Sequence, residues 1–335
     1  MVKVQRRQFL IATAALFSVP LARVHAQKRL PVLGILTPFP RPKPEEFARS
    51  PLIVRLRELG WVEGKTLLIE RAYGEGREER LPELASTLVA KGVDVIWAFG
   101  TEGAVAAARA TRTIPIVFWG VPAPVEQGLV ESLARPGRNV TGVAFAADFG
   151  VEAKRLELLR EIAPAARRLA AISVPTSIRT VAGGSVDLPS VTNAAASKLG
   201  FELRRFPIEK QEDFEPVFAA ILAWGAEALT VSGSGLFGRN RPRIAEFANR
   251  SRLPSAFTLP DYVEAGGLVS YGIEWQPTIA QTADYIDRIL RGAKPSELPV
   301  DLPSKYVTAV NLKTAKALGL NVPPSILLRA DRVIE

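Results

Sequence analysis

The chain has 335 residues, with no cysteine, one histidine and one methionine, and its 43 basic and 34 acidic side chains give a formal net charge of +9. A chain of this length can bury a large core and is expected to form two lobes. Basic and acidic residues alternate, as in RLRELGWVEGK (55–65), which is typical of solvated helix faces and argues against nucleic-acid binding.

The first 26 residues have the pattern of an export signal. Basic residues precede the apolar stretch FLIATAALFSVPLA (9–22), and the small-residue site VHA (24–26) follows. We predict a signal peptide over residues 1–26, cleavage after Ala26 and a periplasmic location. A buried first helix is the alternative. The stretch RRQFL (6–10) also resembles the twin-arginine motif, so the Sec and Tat routes both stay open.

Removing residues 1–26 leaves 309 residues without histidine, cysteine or methionine and with a net charge of +5. Such a chain cannot build a serine–histidine–aspartate triad, a cysteine nucleophile or a zinc site of the usual nitrogen and sulfur ligands. No other segment approaches the roughly 18 apolar residues of a membrane span. We therefore expect a soluble monomer that is not an enzyme and has no cofactor and no metal.

Apolar runs suited to buried parallel strands alternate with amphipathic helices along the chain. The first set of predicted strands is 31–36, 66–72, 93–99, 115–119 and 140–145, with helices at 52–59 and 81–92. The second set is 168–174, 201–207, 227–233, 254–259 and 267–272. A helix at 278–292, a strand at 306–312 and a helix at 314–319 follow. This is a doubly wound α/β pattern that occurs twice.

The two sets also repeat in sequence. LVAKGVDVIWAFGT (88–101) matches ILAWGAEALTVSGS (221–234) at an offset of 133, and two further strand pairs match in the same order. The repetition predicts two Rossmann-like lobes that face each other across a cleft. We place lobe 1 at 27–144 plus 275–303 and lobe 2 at 145–274 plus 304–335, joined by a hinge of several crossings.

Several phrases resemble one protein family. They are RLPELASTLVAKGVDVI, TIPIVFW followed by GLVESLARPGRNVTGV, AKRLELLREIAP, YVEAGGLVSYG and NLKTAKALGLNVPPSILLRADRVIE. Together they resemble the solute-binding component of ABC importers, related to tryptophan-type binding proteins. The resemblance implies the type I periplasmic binding protein fold, a small-molecule solute as ligand and an ABC permease in the membrane as partner.

Two cleft-facing turns depart from the family pattern. The family has a Gly-Asp-Pro turn after the strand PIVF, whereas this chain has Ala123 at the position of the acid. Such an acid could pair with a ligand ammonium, so its loss argues against an amino-acid ligand unless Glu102, Asp148 or Glu274 replaces it. The second departure is ISVPTSIRTVAGG (172–184), where the family has an Asn-Pro loop.

Candidate ligand-binding residues follow the strand ends, where ligands dock in α/β proteins. The segment VDVIWAFGTEGAVAAA (93–108) is a strand, a Gly-Thr turn and a helix start; it lacks a phosphate-loop signature, and both a plain turn and a ligand contact fit it. The hydroxyls and turn amides of such positions suit neutral or carboxylate groups, and aromatic side chains, Phe39 included, could enclose a flat solute. The predicted site is Thr37, Gly100, Thr101, Glu102, Trp119, Pro122, Phe145, Thr176, Ser232, Ser234, Phe237 and Tyr271.

Two other functions compete with import. A sensory protein that docks on a membrane receptor would have the same fold. A carboxylate-based hydrolase would use Glu102 and Glu274 as its pair in the cleft. The acidic pairs Glu45-Glu46 and Glu78-Glu79 are interpreted as helix-start residues, because acids there favour the helix dipole.

Overall fold

The computed structural model describes residues 29–148, 150–173, 178–179, 181, 185–186 and 188–335. The predicted signal peptide at 1–26 lies outside these residues. Pro31–Glu335 form one compact unit. None of the helices in the described ranges combines the length and the apolar character that a membrane span requires.

The first sheet contains five parallel strands in the order β2-β1-β3-β4-β5. Its strands are β1 (Val32–Thr37), β2 (Leu68–Tyr73), β3 (Val95–Phe99), β4 (Ile116–Pro122) and β5 (Val140–Ala146). The helices of this part of the chain are α1 (Pro44–Ala48), α2 (Pro51–Glu58), α3 (Leu81–Ala90) and α4 (Gly100–Ala110).

Alternation along each strand gives the first sheet two apolar faces. In β3, Ile96 and Ala98 join a core with α3 and α4. Val95 and Trp97 join a second core with α2 and with a later helix that starts at Trp275. The sheet is therefore covered by helices on both faces, which is the doubly wound arrangement.

The second half of the chain forms a seven-stranded sheet and a separate two-stranded hairpin, β7-β8. The strands are β6 (Arg168–Ser173), β7 (Ile178–Arg179), β8 (Ser185–Val186), β9 (Glu202–Pro207), β10 (Ala228–Val231), β11 (Ser255–Phe257), β12 (Val269–Gly272), β13 (Val307–Asn311) and β14 (Arg332–Ile334). The helices are α5 (Gly150–Ile162), α6 (Leu188–Lys198), α7 (Phe214–Ala223), α8 (Gly235–Arg239), α9 (Arg241–Arg250), α10 (Pro260–Glu264), α11 (Trp275–Leu290), α12 (Leu312–Leu318) and α13 (Pro324–Leu327).

The second sheet repeats the topology of the first. Its order is β14-β13-β12-β11-β10-β6-β9, so strands β9-β6-β10-β11-β12 correspond to β2-β1-β3-β4-β5. Strand β13 is antiparallel to β12, and β14 extends that edge. The predicted duplicated, doubly wound lobes are confirmed. Every strand predicted from the sequence is present, with ends displaced by at most three residues, whereas β7, β8 and β14 were not predicted.

Between the described strands of the two large sheets, the chain passes from one sheet to the other three times. The passages follow β5, follow β12 and precede β13. Asp301 pairs with Val143 of the first sheet, and a few residues later the chain enters β13 of the second. The Tyr306 hydroxyl donates a hydrogen bond of 3.1 Å to the carbonyl of Phe145, which ties two of the crossings together. The predicted multiple-crossing hinge is confirmed, and the lobe boundaries stay a prediction.

Candidate functional site

A cavity of about 390 Å³ is lined by residues of both sheets and of the crossings. This volume suits a small organic molecule. The lining residues from the first lobe and from the segment that follows β5 are Pro38, Phe39, Glu78, Phe99, Gly100, Thr101, Glu102, Trp119, Gly120, Pro122, Phe145, Ala146 and Asp148. The remaining lining residues are Val151, Glu152, Ala171, Ile172, Ser173, Thr192, Arg205, Thr230, Ser232, Gly233, Ser234, Gly235, Gly238, Arg239, Arg241, Thr258, Leu259, Asp261 and Trp275.

The turn between β3 and α4 brings backbone close to the cavity. Gly100 has φ +71°, a left-handed conformation that glycine adopts without strain, so the chain passes from strand to helix with no intervening loop. The first amides of α4 have no partner within the helix. Thr101 is 6% exposed and lines the cavity. This turn therefore presents backbone donors and one hydroxyl at the cavity wall.

Aromatic rings form a continuous part of the same wall. The ring centre of Phe99 lies 4.6 Å from that of Phe39 and 4.7 Å from that of Trp119. The indole of Trp119 is fixed by a hydrogen bond of 3.0 Å from Nε1 to the Thr278 hydroxyl. Phe145, near the end of β5, also lines the cavity. Rings held in this way can cover a flat apolar ligand.

Two glutamates of the first lobe also line the cavity, Glu78 before α3 and Glu102 in the first turn of α4. Burial, together with the smaller effect of the charges of Glu102 and Glu79, raises the pKa of Glu78 to about 8. Burial also raises the pKa of Glu102. Like charges in one poorly solvated site oppose ionisation of both groups, so the pair holds a proton near neutral pH.

The second-lobe wall is built from the ends of β6 and β10. Ser173 is 3% exposed, and its hydroxyl has no hydrogen-bond partner among the described residues. The hydroxyl of Ser232 is likewise buried without a partner there. The Ser234 hydroxyl accepts a hydrogen bond of 3.1 Å from the Leu236 amide and caps α8. Two hydroxyls are thus available to a ligand, and the third is used by the fold.

Three arginines bring positive charge to the second-lobe side: Arg205, Arg239 and Arg241. The Arg241 guanidinium donates a hydrogen bond of 2.8 Å to the Gly238 carbonyl and lies 4.0 Å from the Asp261 carboxylate. Burial lowers the pKa of Arg239. Asp261 also accepts a hydrogen bond of 3.0 Å from Trp275 Nε1. The second-lobe side of the cavity therefore has guanidinium groups together with the carboxylates of Glu152 and Asp261.

Eight of the twelve predicted site residues line the cavity: Gly100, Thr101, Glu102, Trp119, Pro122, Phe145, Ser232 and Ser234. Their contact with a solute stays a prediction. Thr176 lies outside the described residues, as does most of the segment 172–184 in which the departure from the family pattern falls.

Three predicted residues lie away from the cavity. The Thr37 hydroxyl is buried and accepts a hydrogen bond of 3.2 Å from the Phe39 amide. Phe237 is fully buried, because the inward face of α8 packs into the core with Phe214. The ring of Tyr271 stacks on Tyr306, with 5.6 Å between ring centres. These residues were chosen because they lie at or just after strand ends. That pattern does not determine the direction in which a side chain points.

The predicted carboxylate pair is not brought together. Glu274 is exposed, forms an ion pair with Arg332 and is absent from the cavity lining, so a hydrolase site of Glu102 and Glu274 is not formed. Ala123 is fully buried and does not line the cavity. Within the described ranges, no cluster of three or more potential metal ligands occurs.

The sequence profile described as ABC transporter substrate binding protein matches residues 46–334. The chain belongs to this family. The resemblance of its sequence phrases is thereby confirmed, and with the two repeated α/β sheets so is the type I periplasmic binding protein fold. Members of the family are substrate-binding proteins of ABC transporters.

Comparison with individual proteins agrees with this family. The chain is 25% identical to the tyrosine-binding protein of Clostridioides difficile (strain R20291) over 273 residues, 82% of this chain and 76% of the relative. It is similar to a conserved domain protein from Vibrio cholerae, with a TM-score of 0.78 and 28% identity over 90% of this chain and 99% of that one. The ABC domain of Streptococcus pneumoniae in complex with L-Trp shares the fold, with a TM-score of 0.75 and 24% identity over 91% and 100% of the chains.

Sequence reasoning missed several lining residues of this substrate-binding protein. Glu78 was interpreted as a helix-start acid, yet it lines the cavity. Trp275 and Asp261 follow β12 and β11 by only a few residues, a signal that the strand-end rule could have used. Arg205 lies within β9, and no pattern in the sequence distinguishes it from the neighbouring Arg204.

Proposed function

We propose that this protein is the extracytoplasmic solute-binding component of an ABC importer and holds a small aromatic solute between its lobes. The observation that carries the proposal is the cavity lined from both lobes, with Phe39, Phe99 and Trp119 in contact along one wall. Family membership supports the importer, and the similar tyrosine-binding protein supports an aromatic ligand.

Polar groups at the strand ends would orient the solute. Gly100 and Thr101 line the cavity at the start of α4, where helix amides favour anionic or polar groups. The residues Ser232 to Gly235 line the opposite wall. Trp119 and Phe145 would cover the ring, and burying an aromatic ring supplies most of the affinity in such sites.

Binding at both walls favours the closed arrangement of the lobes. A ligand shifts a conformational equilibrium only through its preference for one form, and a solute that touches both walls has that preference. We propose that a membrane permease recognises the closed monomer and receives the solute. Export after removal of residues 1–26 places the protein on the required side of the membrane.

We propose binding without chemical conversion. Residues 27–335 contain no histidine and no cysteine, the side chains most used for nucleophilic and acid–base catalysis at neutral pH. Glu274, the predicted catalytic partner of Glu102, is exposed, paired with Arg332 and absent from the cavity lining. A bound solute should therefore be recovered unchanged.

Native mass spectrometry of purified protein tests the proposal directly, because a tightly bound solute is carried through purification. We expect one small aromatic molecule per chain, released unaltered by denaturation. Titration calorimetry with that molecule should give a stoichiometry of one. Recovery of a large or purely aliphatic ligand, or turnover of the molecule by the protein, would contradict the proposal.

A further inference from the structure

We infer that Arg239 of α8 is a latch residue, which closes the entrance of the cavity by docking on the first lobe. We call the first-lobe residues that it meets the seat: Phe39, Glu75 and Gly76. The latch holds the two lobes together, so release of the solute requires this contact to break. The inference adds a specific contact to the proposed closure of the lobes, on which it rests, and it holds for any solute that the cavity accepts.

Arg239 and the seat meet on the side of the cleft away from the crossings. The crossings lie beside β5 and β12. Phe39 follows β1, and Glu75 and Gly76 follow β2, the strand at the opposite edge of the first sheet. Lobes that rotate about the crossings separate most on that opposite side. A contact there restrains opening more than a contact beside the hinge.

Hydrogen bonds between two loops of the first lobe hold the seat in shape. The Gly76 amide donates to the Pro38 carbonyl at 2.7 Å, and the Glu75 amide donates to the Phe39 carbonyl at 3.3 Å. The Glu75 carboxylate accepts a hydrogen bond of 3.3 Å from the Arg41 amide. Glu75 has φ +57°, a left-handed conformation that is uncommon outside glycine and persists where surrounding contacts enforce it. The first lobe therefore presents a preformed surface with one aromatic ring and one carboxylate.

The side chain of Arg239 reaches this surface from the second lobe. Its guanidinium lies 5.4 Å from the centre of the Phe39 ring, within the range of a cation–π interaction. Its Nη2 atom lies 3.1 Å from the position that a Cβ atom on Gly76 would take. Burial lowers the pKa of Arg239 and the charge of Glu75 opposes that effect, so the two charges interact. Arg239 thus contacts all three residues of the seat.

The two neighbouring arginines of the same segment have partners in their own lobe. The Arg241 guanidinium donates a hydrogen bond of 2.8 Å to the Gly238 carbonyl. Arg243 forms an ion pair of 2.9 Å with Glu215. The latch is therefore assigned to Arg239 rather than to the positive charge of the segment as a whole.

The Phe39 ring connects the latch to the solute side of the cavity. This ring contacts Phe99, and Phe99 contacts Trp119, with all three residues in the cavity lining. A solute that packs against Phe99 and Trp119 supports the Phe39 ring from one side, while Arg239 holds it from the other. Because a ligand shifts an equilibrium only through its preference for one form, this shared ring gives the solute a preference for the latched form.

Distance measurements across the cleft test the latch. The chain has no cysteine, so spin labels can be attached to Lys65→Cys and Lys210→Cys, two exposed positions beside the edge strands β2 and β9. Pulsed electron–electron double resonance, without added solute and with excess L-tyrosine, gives the ratio of closed to open protein. We expect Arg239→Gln to lower this ratio roughly 3- to 10-fold, the loss expected for one cation–π contact and one partly exposed charge pair.

Glu75→Gln separates closure from solute contact, because Glu75 is absent from the cavity lining and glutamine can still accept the hydrogen bond from the Arg41 amide. It should lower the ratio roughly 1.5- to 5-fold. Added to Arg239→Gln it should have little further effect, since both residues act on one contact. Arg243→Gln is the control and should leave the ratio unchanged, because its ion pair with Glu215 lies within the second lobe.

The possible outcomes distinguish the latch from the proposed function. A wild type without a closed population in either condition, or an Arg239→Gln variant with the wild-type ratio, would overturn the latch. Weaker L-tyrosine binding in Arg239→Gln at an unchanged ratio would make Arg239 a solute contact instead. Each of these results leaves the proposed function standing, because native mass spectrometry of the carried-over solute decides it separately. A carried-over solute without an aromatic ring would contradict the proposed function and leave the latch unaffected.

Discussion

The ring of Phe39, on the loop after β1, packs directly against the backbone of Gly235 at the start of α8. A Cβ atom on Gly235 would lie 2.3 Å from Phe39 Cε1 and 2.9 Å from Cζ, far inside van der Waals contact. The Arg239 guanidinium lies 5.4 Å from the centre of the same ring. The two lobes thus meet at a point where only glycine leaves room for the aromatic ring.

Gly235→Ala should weaken solute binding by disfavouring this contact. Overpacking costs about 1–3 kcal/mol, and if that cost falls on the closed form the affinity drops roughly 5- to 150-fold. In the presence of solute, small-angle scattering should show a larger radius of gyration for Gly235→Ala than for the wild type. Gly103→Ala is the control, because a Cβ atom there would meet its nearest neighbours at 3.7–3.9 Å and Gly103 does not line the cavity. Equal loss of affinity in both variants would show that the Phe39 contact does not govern closure.

Glu78→Gln should change how stability depends on pH. The folded state raises the pKa of Glu78 to about 8, so between roughly pH 4.5 and pH 8 the folded protein binds a proton that the unfolded chain has lost. The free energy of unfolding of the ligand-free protein therefore falls as pH rises through this window. Urea denaturation at several pH values should show a shallower fall in Glu78→Gln. A free energy of unfolding that rises with pH across this range in the wild type, and equally in Glu78→Gln, would contradict the burial of the Glu78 carboxyl.

Trp119 and Trp97 provide a matched pair for separating binding from stability. Both donate an indole hydrogen bond to a threonine of α11, Trp119 to Thr278 at 3.0 Å and Trp97 to Thr282 at 2.8 Å. Only Trp119 lines the cavity. Trp119→Ala should therefore lower solute affinity beyond its effect on folding. Trp97→Ala should cost about 3–5 kcal/mol in the free energy of unfolding.

Calorimetry and thermal unfolding of both tryptophan variants check this division. Conditions are chosen so that each variant is folded before titration. The expected result is weaker binding in Trp119→Ala and near wild-type binding in Trp97→Ala. Weaker binding in Trp97→Ala than in Trp119→Ala would indicate that the solute does not contact the wall formed by Phe39, Phe99 and Trp119.

Thr101→Val should weaken binding while it preserves the shape of the turn. Valine matches threonine in size but lacks the hydroxyl, so a buried polar group of the solute loses its partner at about 1–3 kcal/mol, roughly 5- to 150-fold in affinity. Thr101→Ser retains the hydroxyl and should bind nearly as well as the wild type. Titration calorimetry with the identified solute measures both. Unchanged affinity in Thr101→Val would make the Gly100-Thr101 segment a turn without a ligand contact.

The sequence by itself determined the elements and their repetition. Buried parallel strands carry continuous apolar runs, and helix ends carry glycine, as at Gly92, whose φ is +66°. These are local properties of the chain. The matching segments 88–101 and 221–234 likewise anticipated that β3 and β10 occupy equivalent places in the two sheets. Because strand ends are local too, the sequence identified positions such as Thr101 and Ser232, which line the cavity; their contact with a solute stays a prediction.

Only the tertiary structure decided which side chains face the cavity. Phe237 and Tyr271 follow the strand-end pattern, yet α8 packs one into the core and Tyr306 stacks on the other. Glu78 has the local pattern of a helix-start acid, but the approach of α4 brings it near Glu102 and burial raises its pKa. Side-chain direction and desolvation depend on elements distant in sequence. No local pattern of residues contains that information.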